Sequence, residues 1–136
     1  MKQAVCASFK LEIIQGVHKA TDVYKIALYG EGSDKGQDTT HYDTKDEVSG
    51  LGYTAGGRML TGYAAGQSDG VAWLSFADVT WPNSSITARG ALIYNSTVDN
   101  RAVVVLDFFE NKKSLARAFV VLFPTADKNQ ATIRIN

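Results

Sequence analysis

Apolar and polar positions divide the chain into three stretches with different rhythms. In residues 3–15, Val5, Phe9 and Ile13 recur every fourth residue, with Cys6 and Ile14 beside them. That period predicts an amphipathic helix, and Gly16 supplies the glycine that commonly ends one. Residues 22–29 read as a strand, because Tyr24, Ile26 and Leu28 alternate with Lys25 and Ala27. Residues 30–57 have no period. Seven glycines punctuate polar residues there, which marks an irregular loop. Thr44 followed by Glu47 is a capping-box spacing and predicts one short helical turn.

From Arg58 onward the pattern is strand after strand, at 58–65, 71–77, 86–94, 102–109, 117–123 and 130–135. Turn formers separate them at 66–70, Pro82-Asn83-Ser84, 95–100, 111–114 and 125–129. Residues 102–109 and 118–123 are near-continuous apolar runs, expected to be central strands covered on both faces. Short strands without intervening helices predict a mainly β protein. The expected fold is an antiparallel β-sandwich, jelly-roll-like, with one N-terminal α-helix. At 136 residues the chain is one domain: a helix over 1–18, then a sandwich over 19–136 that carries the irregular 30–57 loop.

Composition narrows the function classes. Fourteen basic residues balance fourteen acidic ones, so no overall positive field exists to hold a phosphate backbone. Direct nucleic-acid binding is not expected. Charge is uneven, however. Residues 31–47 hold six acids against Lys35 and Lys45, whereas residues 101–136 hold six bases against three acids. Such patches are either solvated faces or surfaces that meet opposite charge on neighbouring subunits. No apolar run approaches a membrane span, and no secretory leader is read in the first residues. Without one, Asn83-Ser84-Ser85 and Asn95-Ser96-Thr97 read as turns rather than glycosylation sites.

Catalytic chemistry finds little to work with. Cys6 is the sole cysteine and lies on the apolar side of the expected helix, so a core role is expected. His18, after the helix cap, reads as structural. His41 precedes Tyr42 and Asp43 in the acidic loop. A divalent ion held by His41 and Asp43 with Asp38 or Asp46 is conceivable, but the expectation is no metal and no cofactor. Gly50-Leu51-Gly52-Tyr53-Thr54-Ala55 fits the dinucleotide-binding spacing, yet Lys45-Asp46-Glu47 precedes it instead of a buried strand. It therefore reads as a glycine-rich turn. Trp73 and Trp81 are expected to pack in the core or on a sheet. Only Arg58 and Arg89 are basic between residues 48 and 100, too few for a single-strand stacking platform.

Several segments resemble a known family. They are Tyr24-Lys25-Ile26-Ala27-Leu28-Tyr29, Glu47-Val48-Ser49-Gly50-Leu51-Gly52-Tyr53-Thr54-Ala55-Gly56-Gly57 and Asp78-Val79-Thr80-Trp81, then the stretches 86–95, 101–108 and 131–135. Their order resembles small virion proteins encoded in the structural modules of tailed bacteriophages and prophages. The resemblance runs from about residue 20 to the end, with residues 110–117 departing from it by being richer in Lys and Arg. It implies a capsid decoration, or cement, protein with no catalytic residues, made in the bacterial cytoplasm and located on the virion. The implied partners are the major capsid protein or other virion proteins, and further copies of the chain as a dimer or trimer. A tail or neck component, or a ligand- or glycan-binding β-sandwich module, are the alternatives. The partner-contact candidates are Asp38, Tyr42, Asp43, Asp46, Glu47 and Tyr53 in the acidic region, with Lys112, Lys113 and Arg117 in the basic turn. Deleting residues 32–40 is expected to leave the fold intact.

Overall fold

A computed structural model describes residues 1–135. Its elements are β1 (Ala4–Val5), α1 (Ala7–Ile14), β2 (Tyr24–Tyr29), β3 (Arg58–Met59), β4 (Ala64–Ser68), β5 (Val71–Ser75), β6 (Val79–Ser84), β7 (Thr87–Asn95), β8 (Arg101–Lys113), β9 (Arg117–Val121) and β10 (Ile133–Ile135). All strand pairs are antiparallel. The fold is the mainly β, antiparallel sandwich that the strand spacing predicts, with one short N-terminal helix.

The first layer is a five-stranded sheet in the order β1-β8-β7-β2-β3. Its centre consists of the apolar runs of β2, β7 and β8, where Ile26 pairs with Ile93 and Leu92 with Val105. Ile26, Leu28, Leu92, Ile93, Val103 and Val105 are fully buried. Both faces are covered at these central positions, but β8 leaves cover toward its end, where Phe109 is exposed, so the expectation for 102–109 fails at its last residue. The second layer consists of β10-β5-β4 and the pair β6-β9. Two aromatic clusters bond the layers. Tyr24 of β2 packs on Tyr63 and Phe76, and Phe76 on Phe123. Tyr53 packs on Trp81, while Phe119 packs on both Trp81 and Phe108 of β8.

Several boundaries differ from the sequence expectation. The helix is shorter than 3–15: Ala4 and Val5 pair with Val105 and Val104 as an edge strand, because β8 offers free backbone groups there. The expected stripe also splits. Cys6 and Phe9 are buried and close the core, but Ile13 is exposed and Ile14 is 84% exposed. Glu12 turns inward instead, where Arg101 Nη1 donates to it at 2.6 Å and His18 lies 2.9 Å away. The 58–65 run breaks into β3 and β4. The strand β4 continues through Gly66 to Ser68, so the turn narrows to Asp69 and Gly70.

Residues 82–84, read as a turn, belong to β6. Pro82 is tolerated because β6 has only one neighbour and carries a bulge between Trp81 and Ser84. The expected 111–114 turn is strand as far as Lys113. The expectation that 118–123 is covered on both faces is overturned: among the described residues β9 pairs only with β6, and Ala118, Val120 and Leu122 are exposed. No helical turn begins at Thr44; the Glu47 N–H bonds Thr44 O in an isolated turn.

Residues 30–57 are irregular but fastened to the sheet. Gly30 N–H donates to Asp46 O, and Val48 N–H to Leu28 O. At Gly57 (φ +77°) a Cβ would stand 1.8 Å from Ile26 O, and at Gly52 (φ +84°) 2.1 Å from Asn83 O. Only glycine allows the loop to lie this close to β2 and β6. The segment 33–37 also braces the N-terminal strand. Lys2 N–H donates to Lys35 O, Ala7 N–H to Gln37 O, and Ser33 and Lys35 are buried. Deleting 32–40 would remove these supports, so the expectation that the fold survives it does not stand.

Candidate functional site

The acidic region is built around one carboxylate. An antiparallel bridge between Tyr29 and Glu47 sets Glu47 beside β2. Tyr42 Oη donates to Glu47 Oε1 at 2.7 Å, and Tyr53 Oη donates to Oε2 at 2.6 Å. Gly56 N–H donates to the same Oε2 at 2.9 Å. Tyr53 Oη in turn accepts the Leu28 N–H. The Tyr42 ring stacks on Tyr94 at 4.6 Å, and Tyr94 Oη donates to Gly56 O. Nearby, buried Lys35 reaches Asp43 at 2.9 Å and lies 4.8 Å over the Tyr29 ring.

Burial, then the hydrogen bond to the Glu47 carboxylate, raises the Tyr42 and Tyr53 hydroxyls well above the ordinary phenol range. Burial followed by the Glu47 charge lifts Tyr94 to about 12. These tyrosines are proton donors locked in place, and Glu47 accepts three hydrogen bonds. The cluster stiffens the loop.

The candidate contact residues therefore fall into two sets. Tyr42, Glu47 and Tyr53 are half-buried, with their polar ends turned toward one another. Asp38, Asp43, Asp46, Lys112, Lys113 and Arg117 are exposed. Asp38 and Asp43 line an open cleft of about 1020 Å³ formed by residues 1–4 and 33–43. Asp46, Glu47 and Lys113 share a smaller cleft of about 310 Å³ with Leu115, which brings one end of the acidic region to the basic turn. Lys112 pairs with Glu110.

The two histidines and Cys6 are held in structural contacts. His41 lies 3.5 Å from Asp99 and Asp43 faces Lys35, so the conceivable ion site is not assembled. Among the described residues no three His, Cys, Asp or Glu side chains converge as metal ligands. His18 is buried. Asn95 Nδ2 donates to Asp22 and approaches His18 Nδ1 at 3.0 Å, so Nδ1 accepts and Nε2 carries the hydrogen given to Glu12. Burial, aided by Glu12, pushes the Cys6 thiol up to about 12.

What the sequence reading missed are apolar side chains that face outward. Leu122 is 74% exposed, Phe109 73% and Leu115 71%. Phe109 occupies a bulge in β8. Ala88 pairs with Lys112 and Gly90 with Asp107, so four residues of β8 face one of β7. Its φ of +63° is a left-handed backbone that costs a bulky residue roughly 1–2 kcal/mol. The Asp107 carboxylate holds the bend, accepting from Phe109 N–H at 2.8 Å and Arg89 Nε at 3.1 Å. Burial alone would raise that carboxyl, but these two donors keep it below the usual range. The available signal was Phe109 following Phe108, since one of two adjacent strand residues must face away from the core.

No protein-family model, no curated protein and no solved structure matches the chain. Among the described residues no helix is long and apolar enough to cross a membrane.

Proposed function

We propose that this chain is a non-enzymatic structural protein of a tailed-bacteriophage particle, a decoration protein that binds the outside of the major capsid shell and strengthens it. The observation that carries the binding role is Phe109. A large apolar ring is held out in water on a strained bend, fixed by an ion pair and a backbone hydrogen bond. Strain maintained at an exposed anchor fits a recognition surface, where pre-ordered aromatic side chains contribute most of the affinity. The exposed Lys112, Lys113 and Arg117 supply charge near the same end of β8 and β9 for meeting an acidic neighbour. The virion assignment rests on the family resemblance alone.

The test is to add purified protein to capsids from which decoration proteins have been stripped, and to count bound copies by quantitative mass spectrometry and cryo-electron microscopy. Saturation at on the order of hundreds of copies, lattice-ordered, supports the reading, because weak contacts repeated over a shell gain avidity. Phe109→Ala should lower occupancy while leaving the melting temperature unchanged. Failure to bind shells, or a stoichiometry of a dozen at a single vertex, overturns the decoration role.

A further inference from the structure

We propose that the free edge of β9 is a self-pairing site, at which a second copy of this chain adds its own β9 antiparallel about a two-fold axis. The inference does not depend on the virion reading.

The edge is identified by hydrogen-bond direction. β9 has one neighbour, β6, with Thr80 opposite Val120 and Trp81 opposite Phe119. Arg58 Nη1 donates to Thr80 O, which turns the backbone of Thr80 away from β9. In an antiparallel ladder this makes Thr80 and Val120 a non-hydrogen-bonded pair. Phe123 N–H agrees, since it points toward the β6 side and donates to Asp78 Oδ1 at 2.7 Å. Phe119 and Val121 therefore bond β6, whereas Ala118, Val120 and Leu122 direct their N–H and C=O groups to the outer edge. Among the described residues no other strand pairs with them. The side chains of the same three residues are exposed and apolar. Natural edges are commonly guarded by Lys, Pro or an inward charge. None of these three positions carries such a guard.

The same features select a second copy as the occupant. With Val120 opposite Val120 of the partner subunit, Ala118 meets Leu122 of the partner subunit at both ends, and the three pairs exchange roughly six N–H···O bonds. Charge selects the antiparallel sense. Exposed Arg117 begins the strand. Antiparallel pairing holds the two arginines at opposite ends of the contact, whereas parallel pairing would set them side by side. A strand of five residues is about 17 Å long, so the contact is below standard interface size and weak in free solution.

Sedimentation equilibrium between about 10 µM and 1 mM should show a reversible monomer–dimer equilibrium with a dissociation constant on the order of 100 µM. Val120→Pro removes an N–H that bonds nothing within the chain, and Val120→Lys restores an edge guard. Each should weaken association at least about tenfold while shifting the melting temperature by under about 2 °C. Val120→Cys should form an oxidised dimer much faster than Thr125→Cys, with buried Cys6 unreactive in both. A wild-type chain that stays monomeric throughout, a Val120→Pro variant that dimerises undiminished, or equal cross-linking of the two cysteine variants would each overturn the proposal.

Discussion

Residues 30–57 contain almost no regular structure, yet their side chains are bound into a network around Glu47. Residues 107–122 are mostly strand, yet Phe109, Leu115, Val120 and Leu122 stand in solvent. The first region satisfies its polar groups internally and exposes charge. The second satisfies its backbone on one side and exposes apolar surface. Regular hydrogen bonding therefore does not tell which part of this molecule is complete by itself. The irregular region behaves as framework, whereas residues 107–122 hold apolar side chains out in solvent.

The comparison can be broken most directly by cutting the irregular region. Deleting 32–40 should destabilise the protein by about 5 kcal/mol or more, enough to unfold a marginally stable domain. Chemical denaturation is the measurement, and a variant with an unchanged midpoint would make the region a dispensable loop. Next, Glu47→Ala leaves two tyrosine hydroxyls and the Gly56 N–H without their acceptor. Each orphaned donor costs about 1–3 kcal/mol, so a loss of about 4 kcal/mol is expected, and Glu47→Gln should lose about half of that.

Alkaline titration sharpens the same contrast. Burial holds the Tyr24, Tyr29, Tyr42 and Tyr53 hydroxyls above their ordinary range, and Tyr94 and Cys6 at about 12. A group whose folded pKa is raised contributes stability below its unfolded pKa, and that stability is lost as pH rises toward the folded value. Unfolded thiols titrate near about 8.5 and phenols near about 10. The melting temperature should be insensitive to these groups up to about pH 8.5 and fall steeply above about pH 10. Tyrosinate absorbance should appear together with unfolding, and ionisation in the folded state would contradict the network. The smallest effect belongs to the exposed limb. Phe109→Gly relieves the positive φ and should change stability by less than about 1 kcal/mol, in the stabilising direction, while reducing shell binding.

The sheet centre was legible because β2, β7 and β8 are continuous runs of branched and aromatic residues that suit only a strand covered on both faces. The same signal misled at β9. Its apolar residues resemble those of β8, and a short run does not show whether another layer covers it. β6 was hidden by Pro82-Asn83-Ser84, which reads as a turn unless the strand is known to be bulged and single-partnered. The helix start was hidden because Ala4 and Val5 obey the helical period yet are drawn to an open edge of β8, a non-local pull that propensity cannot register. Glu47, Tyr42 and Tyr53 were singled out as contacts because they are aromatic and charged groups in a loop. What the sequence could not reveal was that they satisfy one another.

The placement of β8 has a consequence for how the chain acquires its shape. Ala4 pairs with Val105, about 100 residues downstream, and β2 waits for β7, roughly 65 residues later. During synthesis the N-terminal third has no sheet to join until β7 and β8 have emerged. Closure of such distant pairs must be entropically prepaid before their contacts reward it, which places folding in the slow, millisecond-to-second class of β proteins. In that interval Val5, Phe9 and the β2 run remain uncovered. β8 is therefore the kinetic keystone: a ribosome stalled before residue 101 would leave β1 and one whole edge of β7 without the strand they pair with.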